Sequence, residues 1–164
     1  MNKSSSNNGY IIAVLAIFLA ISYYTVDHIK ILKKDFYYDE KIKAAALMQD
    51  AINAIREERL DRGIAIDKNS DINETGIIGV EYSSITTTLG SLEAKRTSVN
   101  PSFAAVMVDM MKELDLEKGD YIAVNFSSSF PGLNLAVLSA AQVLELKPMV
   151  ISSVGASTFG ANIP

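Results

Sequence analysis

Two serine-rich turns are the places where this sequence could do chemistry. Ser127, Ser128 and Ser129 precede Phe130-Pro131-Gly132, and Ser153, Gly155 and Ser157 fall in a second stretch that runs to Gly160. Each follows an apolar run that reads as a strand, and the first opens a helix at Pro131. In a parallel sheet, ligands gather beyond the carboxyl ends of the strands. A helix N-terminus there offers free N–H groups and the positive end of a dipole, and serine hydroxyls add donors. The pattern points to an anionic ligand, a phosphate or carboxylate, with Lys95 and Arg96 placed to complete the site. Serine also caps helices, so a purely structural role for both turns is the alternative. Neither turn matches a Walker loop or the three-glycine dinucleotide pattern.

A serine nucleophile is the sharper chemistry. Ser128 or Ser129 would occupy the strand-to-helix position of a hydrolase nucleophile, but Phe130 and Pro131 replace the small residues that the Gly-x-Ser-x-Gly elbow requires. The one histidine, His28, lies far upstream and cannot be assigned as a base. A pair of Lys95 with a serine remains open.

Composition removes further classes. With no cysteine and a single histidine, disulfide scaffolds, thiolate metal sites and multi-histidine metal sites are excluded, and no metal or other cofactor is expected. The balance of 15 Lys and Arg against 19 Asp and Glu gives a net charge of −4 with no basic stripe, which argues against nucleic acid. A chain of 164 residues, 49% apolar, suits about one domain with a packed core.

Elements must position the serine turns, and the second half supplies them in alternation. Ile77 to Tyr82 reads as a strand that Ile85 to Thr88 could extend. Asn100-Pro101 is an N-cap with proline at the first helical position, opening a helix to about Leu116. On it, Phe103, Met107, Met110, Met111 and Leu114 share the apolar face, and Asp109 falls on the solvated one. Tyr121 to Phe126 is a strand, Pro131 to about Leu146 a helix, and Met149 to Ser152 another strand. Strand, helix, strand at this spacing predicts an α/β class, a partial doubly wound, Rossmann-like parallel sheet. Val150, Ile151 and Val154 would lack a following element, so the α/β domain is expected to be incomplete at the C-terminus and the native chain to continue past Pro164.

The first half reads differently. Residues 1–9 are a polar tail, and 10–26 form an uncharged apolar run flanked by Tyr10, Tyr23 and Tyr24, the aromatic belt of a single transmembrane helix. A cleaved signal peptide is the alternative, with Ala20 and Ser22 at the −3 and −1 spacing, but the only upstream side-chain charge is Lys3 and bulky Tyr23 follows directly. Lys30, Lys33, Lys34, Lys41 and Lys43 lean the C-terminal side toward the cytoplasm, whereas a signal anchor would leave it outside. Within the juxtamembrane stretch 27–66, an amphipathic helix runs from Lys34 to about Asp61. Phe36, Ile42, Ala45, Met48, Ile52, Ile55 and Leu60 recur on it at helical spacing, and Gly63 ends it. It reads equally as a stalk or as a surface helix of the domain that spans 67–164.

Three segments carry a resemblance. Glu93 to Asp109, Lys118 to Asn134 and Lys147 to Asn162 resemble the poly-γ-glutamate system protein family, most specifically in Ser129-Phe130-Pro131 and in Ser152-Ser153-Val154-Gly155-Ala156-Ser157. The resemblance covers roughly the second half, and an N-terminal membrane segment also fits that family. It implies a membrane-anchored accessory role in bacterial synthesis or export of poly-γ-glutamate for capsule or release, with the synthesis proteins as partners, and it carries over no catalytic residue. Three functions follow as expectations: an accessory protein binding an anionic small molecule or the polyglutamate itself, a serine-dependent amide hydrolase or transferase acting on the polymer, or a non-catalytic scaffold of the synthetic complex.

Overall fold

A computed structural model describes residues 4–29 and 34–163. Lys3, Lys30 and Lys33, which enter the orientation argument, lie outside the described residues, as does Pro164. The chain divides into two units, Met1–Asp35 and Phe36–Pro164.

In the first unit, α1 (Ser4–His28) is one helix with no polar face. Its stretch Gly9–His28 is long and apolar enough to cross a membrane, a property that signal sequences share. At its end the His28 ring stacks on Tyr24, and Nδ1 donates to the Tyr24 carbonyl at 2.9 Å.

The core of the second unit is built on three of its four described helices. α2 (Tyr38–Asp61) ends in a Schellman motif: Ile64 N–H reaches the Arg59 carbonyl, Gly63 N–H reaches that of Leu60, and Gly63 supplies the required φ of 71°. Its buried stripe is Lys41, Ala44, Met48 and Ile52. Of the residues expected on that stripe, Phe36, Ile42, Ile55 and Leu60 are instead exposed. The four-residue ladder Ala44-Met48-Ile52 is the stripe that packs on α4 (Ser102–Glu113) and α5 (Pro131–Val143), with Ala44 permitting close approach and Met48 filling the gap beside it. Val108 and Ala104 of α4 and Ala136, Ala140 and Ala141 of α5 complete this core. Asp109 is not merely solvated: it pairs with the Lys41 ammonium at 2.7 Å where α2 crosses α4. Met110 and Leu114 are exposed, because the packed face is Ala104, Val108 and Met111.

Both α4 and α5 stop three residues before the ends expected from sequence. Asp115 and Glu145 take left-handed φ values of 54° and 55°, and Leu116 and Leu146 N–H groups reach back to the Met111 and Ala141 carbonyls. Leu116 and Leu146 are therefore the apolar residues that follow a Schellman cap, counted into the helix by periodicity but lying outside it. At the front of α4, Asn100 Oδ1 accepts the Ser102 N–H at 2.9 Å, the capping bond that the Asn-Pro pair implies.

The strands form two parallel pairs, which fits the α/β class. β1 (Thr86–Thr88) pairs with β4 (Ala156–Ser157), and β2 (Tyr121–Phe126) pairs with β3 (Lys147–Ser152) in the register Tyr121↔Lys147 to Phe126↔Ser152. The 77–82 run is not a strand. Gly79 and Val80 make two backbone bonds to Phe159 and the pairing goes no further. A helix absent from the sequence reading, α3 (Leu92–Ser98), stands between the two pairs in the chain and is capped by Ser91, whose Oγ accepts the Ala94 N–H. At the start of β3 and just past its end, Lys147 and Ser153 donate toward β2, so by the two-residue alternation Pro148 sits where no ladder donor is lost. Val150, Ile151 and Val154 are exposed.

The 64–78 segment carries no regular structure and is held by side chains. Arg59 gives Nη1 to the Gly76 and Ile78 carbonyls and Nη2 to that of Ala65, and burial pulls its pKa below the ordinary value. Asp71, buried at 3% exposure, accepts from Thr75 N–H, Thr75 Oγ1 and Gly76 N–H, the last at 2.7 Å. Asp71→Asn replaces one of these acceptors by a donor facing a donor. The expected cost is about 1–2 kcal/mol, read as a lowered urea midpoint at unchanged slope.

Candidate functional site

The chain from Ala156 to Asn162 is the seam along which the site is assembled. On one side it holds the segment before and within β1: Ala156 N–H donates to Ile85, Thr158 N–H to Thr88, and Phe159 N–H to Val80. Asn162, fully buried, accepts Val80 N–H with Oδ1 and donates from Nδ2 to Val80 O and Thr86 Oγ1. On the other side it meets the first serine turn: Ser157 N–H donates to Ser129 Oγ at 3.0 Å and Ala161 N–H to Ser128 O at 2.7 Å.

The two serine turns are thus brought together, and much of their hydrogen bonding is spent on each other. Ser128 donates its N–H to Ser153 Oγ and its hydroxyl to the Ser153 carbonyl, and Ser153 Oγ donates on to Gly155 O. Ser127 Oγ accepts the Ser129 N–H, and Ser127 O accepts the Asn134 side chain. Gly155 packs against Thr87 of β1, leaving no room for a side chain. The α5 N-terminus is likewise not open: Gly132 lies against the Ser98 carbonyl at the end of α3.

What stands apart is a pair of buried polar groups beneath these turns. Lys95 is 2% exposed, and no carboxylate pairs with its ammonium among the described residues. Nζ sits 3.6 Å over the Phe130 ring, a cation–π contact that compensates only part of the lost hydration. Burial accordingly pushes the Lys95 pKa below its ordinary value. Ser157 is 3% exposed, and its buried Oγ has no hydrogen-bond partner among the described residues. Both atoms converge on Gly90. A Cβ there would lie 2.7 Å from Ser157 Oγ and 3.3 Å from Lys95 Nζ, so only glycine lets these two groups approach the backbone this closely. Thr158 Oγ1 pins Gly90 from the other side, accepting its N–H and donating to its carbonyl. A buried unpartnered hydroxyl beside a buried unpaired ammonium is an arrangement that folding alone disfavours. It suits an anion, which would accept from both.

Of the residues expected at the site, Ser127, Ser128, Ser129, Ser153, Gly155, Ser157 and Lys95 gather here. Arg96 does not. Its Nε and Nη2 donate to the Ser70 and Asn69 carbonyls and its Nη1 pairs with Glu93, so it fastens the 69–70 loop to α3. Gly90, Phe130, Thr158 and Asn162 were not identifiable in the sequence as site residues. Their roles depend on contacts 35 to 82 residues away, for which local pattern carries no signal. Comparison with protein-family models, with curated proteins and with solved structures finds no match.

Proposed function

We propose that this chain is a membrane-anchored accessory protein of bacterial poly-γ-glutamate synthesis or export, and that its α/β domain binds an anionic ligand through Lys95 and Ser157. The observation that carries the binding reading is the Lys95 ammonium, buried with no carboxylate partner among the described residues and lying beside a serine hydroxyl that has none either, where two strand-end turns meet. A carboxylate entering this corner would gain a charge-assisted bond from Nζ and a second bond from Oγ. The pathway rests on the resemblance of residues 93–109, 118–134 and 147–162. In this reading α1 is a single-pass anchor in the cell membrane, with the lysine bias favouring a cytoplasmic domain. The two parallel pairs are parts of one doubly wound, Rossmann-like layer, and the synthesis proteins are the partners.

The hydrolase alternative through Ser128 has less support, because that hydroxyl is already given to the Ser153 carbonyl. Deleting the gene tests the pathway. Surface and secreted polyglutamate, measured as glutamate released by acid hydrolysis, is expected to be lost and to return with the full-length gene. Unchanged polymer amount and chain length would overturn the assignment.

A further inference from the structure

A cleft of about 880 Å³ lies between α2, the 73–75 segment and the start of α4. α3 is the shared wall: Lys95 faces the serine turns, and the next two residues line this cleft. Its centre of charge is Arg56. The guanidinium is half-buried and is held by Nε, which donates to the Glu74 carbonyl at 2.8 Å. Neither Nη has a hydrogen-bond partner among the described residues. A guanidinium pinned at Nε and unpartnered at both Nη atoms retains the planar, two-donor fork that takes a carboxylate. Glu74, the one carboxylate lining the cleft among the described residues, is drawn away to Lys68 at 3.0 Å.

The amides around Arg56 are half used in a consistent way. Gln49 Nε2 donates to Asn53 Oδ1, which leaves the Gln49 carbonyl and the Asn53 amino group. Asn100 Oδ1 accepts Ser102 N–H, which leaves the Asn100 amino group. The wall therefore keeps two donors and one acceptor, the complement of a secondary amide with its two-lone-pair carbonyl and single N–H. Val99, 5% exposed, and half-buried Phe103 add an apolar surface on which methylenes can lie. Carboxylate, amide and methylenes in one ligand describe a glutamyl chain. A phosphate would use the fork and leave the amide acceptor and the apolar surface unengaged.

We propose that this cleft is a separate binding site for a segment of glutamyl oligomer, with Arg56 clamping a carboxylate and Gln49, Asn53 and Asn100 reading the adjacent amide. The choice of glutamyl chain rests on the polymer reading above; the carboxylate-and-amide chemistry does not.

The test uses the full chain in lipid nanodiscs, titrated calorimetrically with a γ-linked glutamate pentamer and, separately, with free glutamate. Arg56→Gln is expected to weaken pentamer binding about tenfold or more. Asn53→Asp, at an exposed helix position that leaves the Arg56–Glu74 bond intact, is expected to weaken it comparably by placing a like charge in the cleft. Pentamer affinity unchanged in Asn53→Asp and in folded Arg56→Gln would overturn the cleft, and if Lys95→Met alone abolished binding, the Lys95 reading would stand without it. Loss in the cleft variants with Lys95→Met unaffected would uphold the cleft and overturn Lys95 as the anion site. A parent chain that bound neither probe would overturn both.

Discussion

Lys95→Met is expected to melt at a higher temperature than the parent chain and to bind anionic ligand at least about tenfold more weakly. The two effects have one cause. Lys95 is buried at 2% exposure with an aromatic face as its main compensation, and among the described residues no carboxylate pairs with it. Methionine keeps the length and flexibility of the stem and removes a charge whose desolvation is only partly offset, a gain of about 1–3 kcal/mol. The pH dependence has a definite sign. Burial sets the folded-state pKa below the ordinary 10.5, so between those two values the unfolded chain holds a proton that the folded chain has released. Stability of the parent therefore rises with pH across that window, and Lys95→Met lacks this rise. Anion binding, which needs the ammonium, falls across the same window. Urea titrations at neutral and alkaline pH, with a glutamate titration of each variant, read both effects. A Lys95→Met variant that melts lower than the parent would show that the ammonium is a satisfied structural group, and the anion site would fall with it.

Gly132→Ala is expected to cost about 3 kcal/mol or more, among the largest losses open to a single methyl group in this fold. An added Cβ would stand 2.5 Å from the Ser98 carbonyl oxygen, 2.8 Å from its carbon and 3.0 Å from Val99 Cα. All three are backbone atoms, so no rotamer change relieves the overlap, and α5 must lift off the end of α3. The movement also shifts the 127–130 turn that covers Lys95, so ligand binding falls along with stability. Gly119→Ala is the control. Its site is open, its φ is +94°, and about 1 kcal/mol of backbone strain is the whole expected penalty. Chemical denaturation of the two variants compares them directly. Equal losses would mean that the contact between α3 and α5 is loose.

The elements that sequence exposes best are those whose signals are local and long. Tyr121 to Phe126 is found as read because its apolar run is bounded by Gly119-Asp120 on one side and three serines on the other. The Gly63 stop and the Asn100 cap follow from single residues with one strong conformational role each. Ile77 to Tyr82 misleads for the converse reason: Ile77 and Ile78 are buried, as their side chains demand, but against helices and without a strand partner to extend the pairing. α3 was missed because seven residues contain too few turns to establish a period, although Ser91 with Glu93 in the first turn marks its start. In the site, the serines were readable from their position after strands. The burial of Lys95 was not, because a lysine between Ala94 and Arg96 gives no hint that Phe130 will cover it. Its neighbour Arg96 has the same chemical type and a wholly different task. The difference lies in which side of α3 each occupies, settled by tertiary packing.

The seam from Ala156 to Asn162 has a kinetic meaning as well as a structural one. β1 and β4 are three and two residues long, whereas β2 and β3 share six paired positions. A short ladder closed over nearly seventy residues of intervening chain is among the first contacts to open in a folded domain and among the last to form. Separation of that ladder releases Ala156 and Ser157 from β1, beside the corner at Gly90 where the Ser157 hydroxyl and the Lys95 ammonium meet. If Lys95 binds an anion as proposed, its ligand would have to await the opening of this seam, so association would be gated by the protein and slow compared with diffusion.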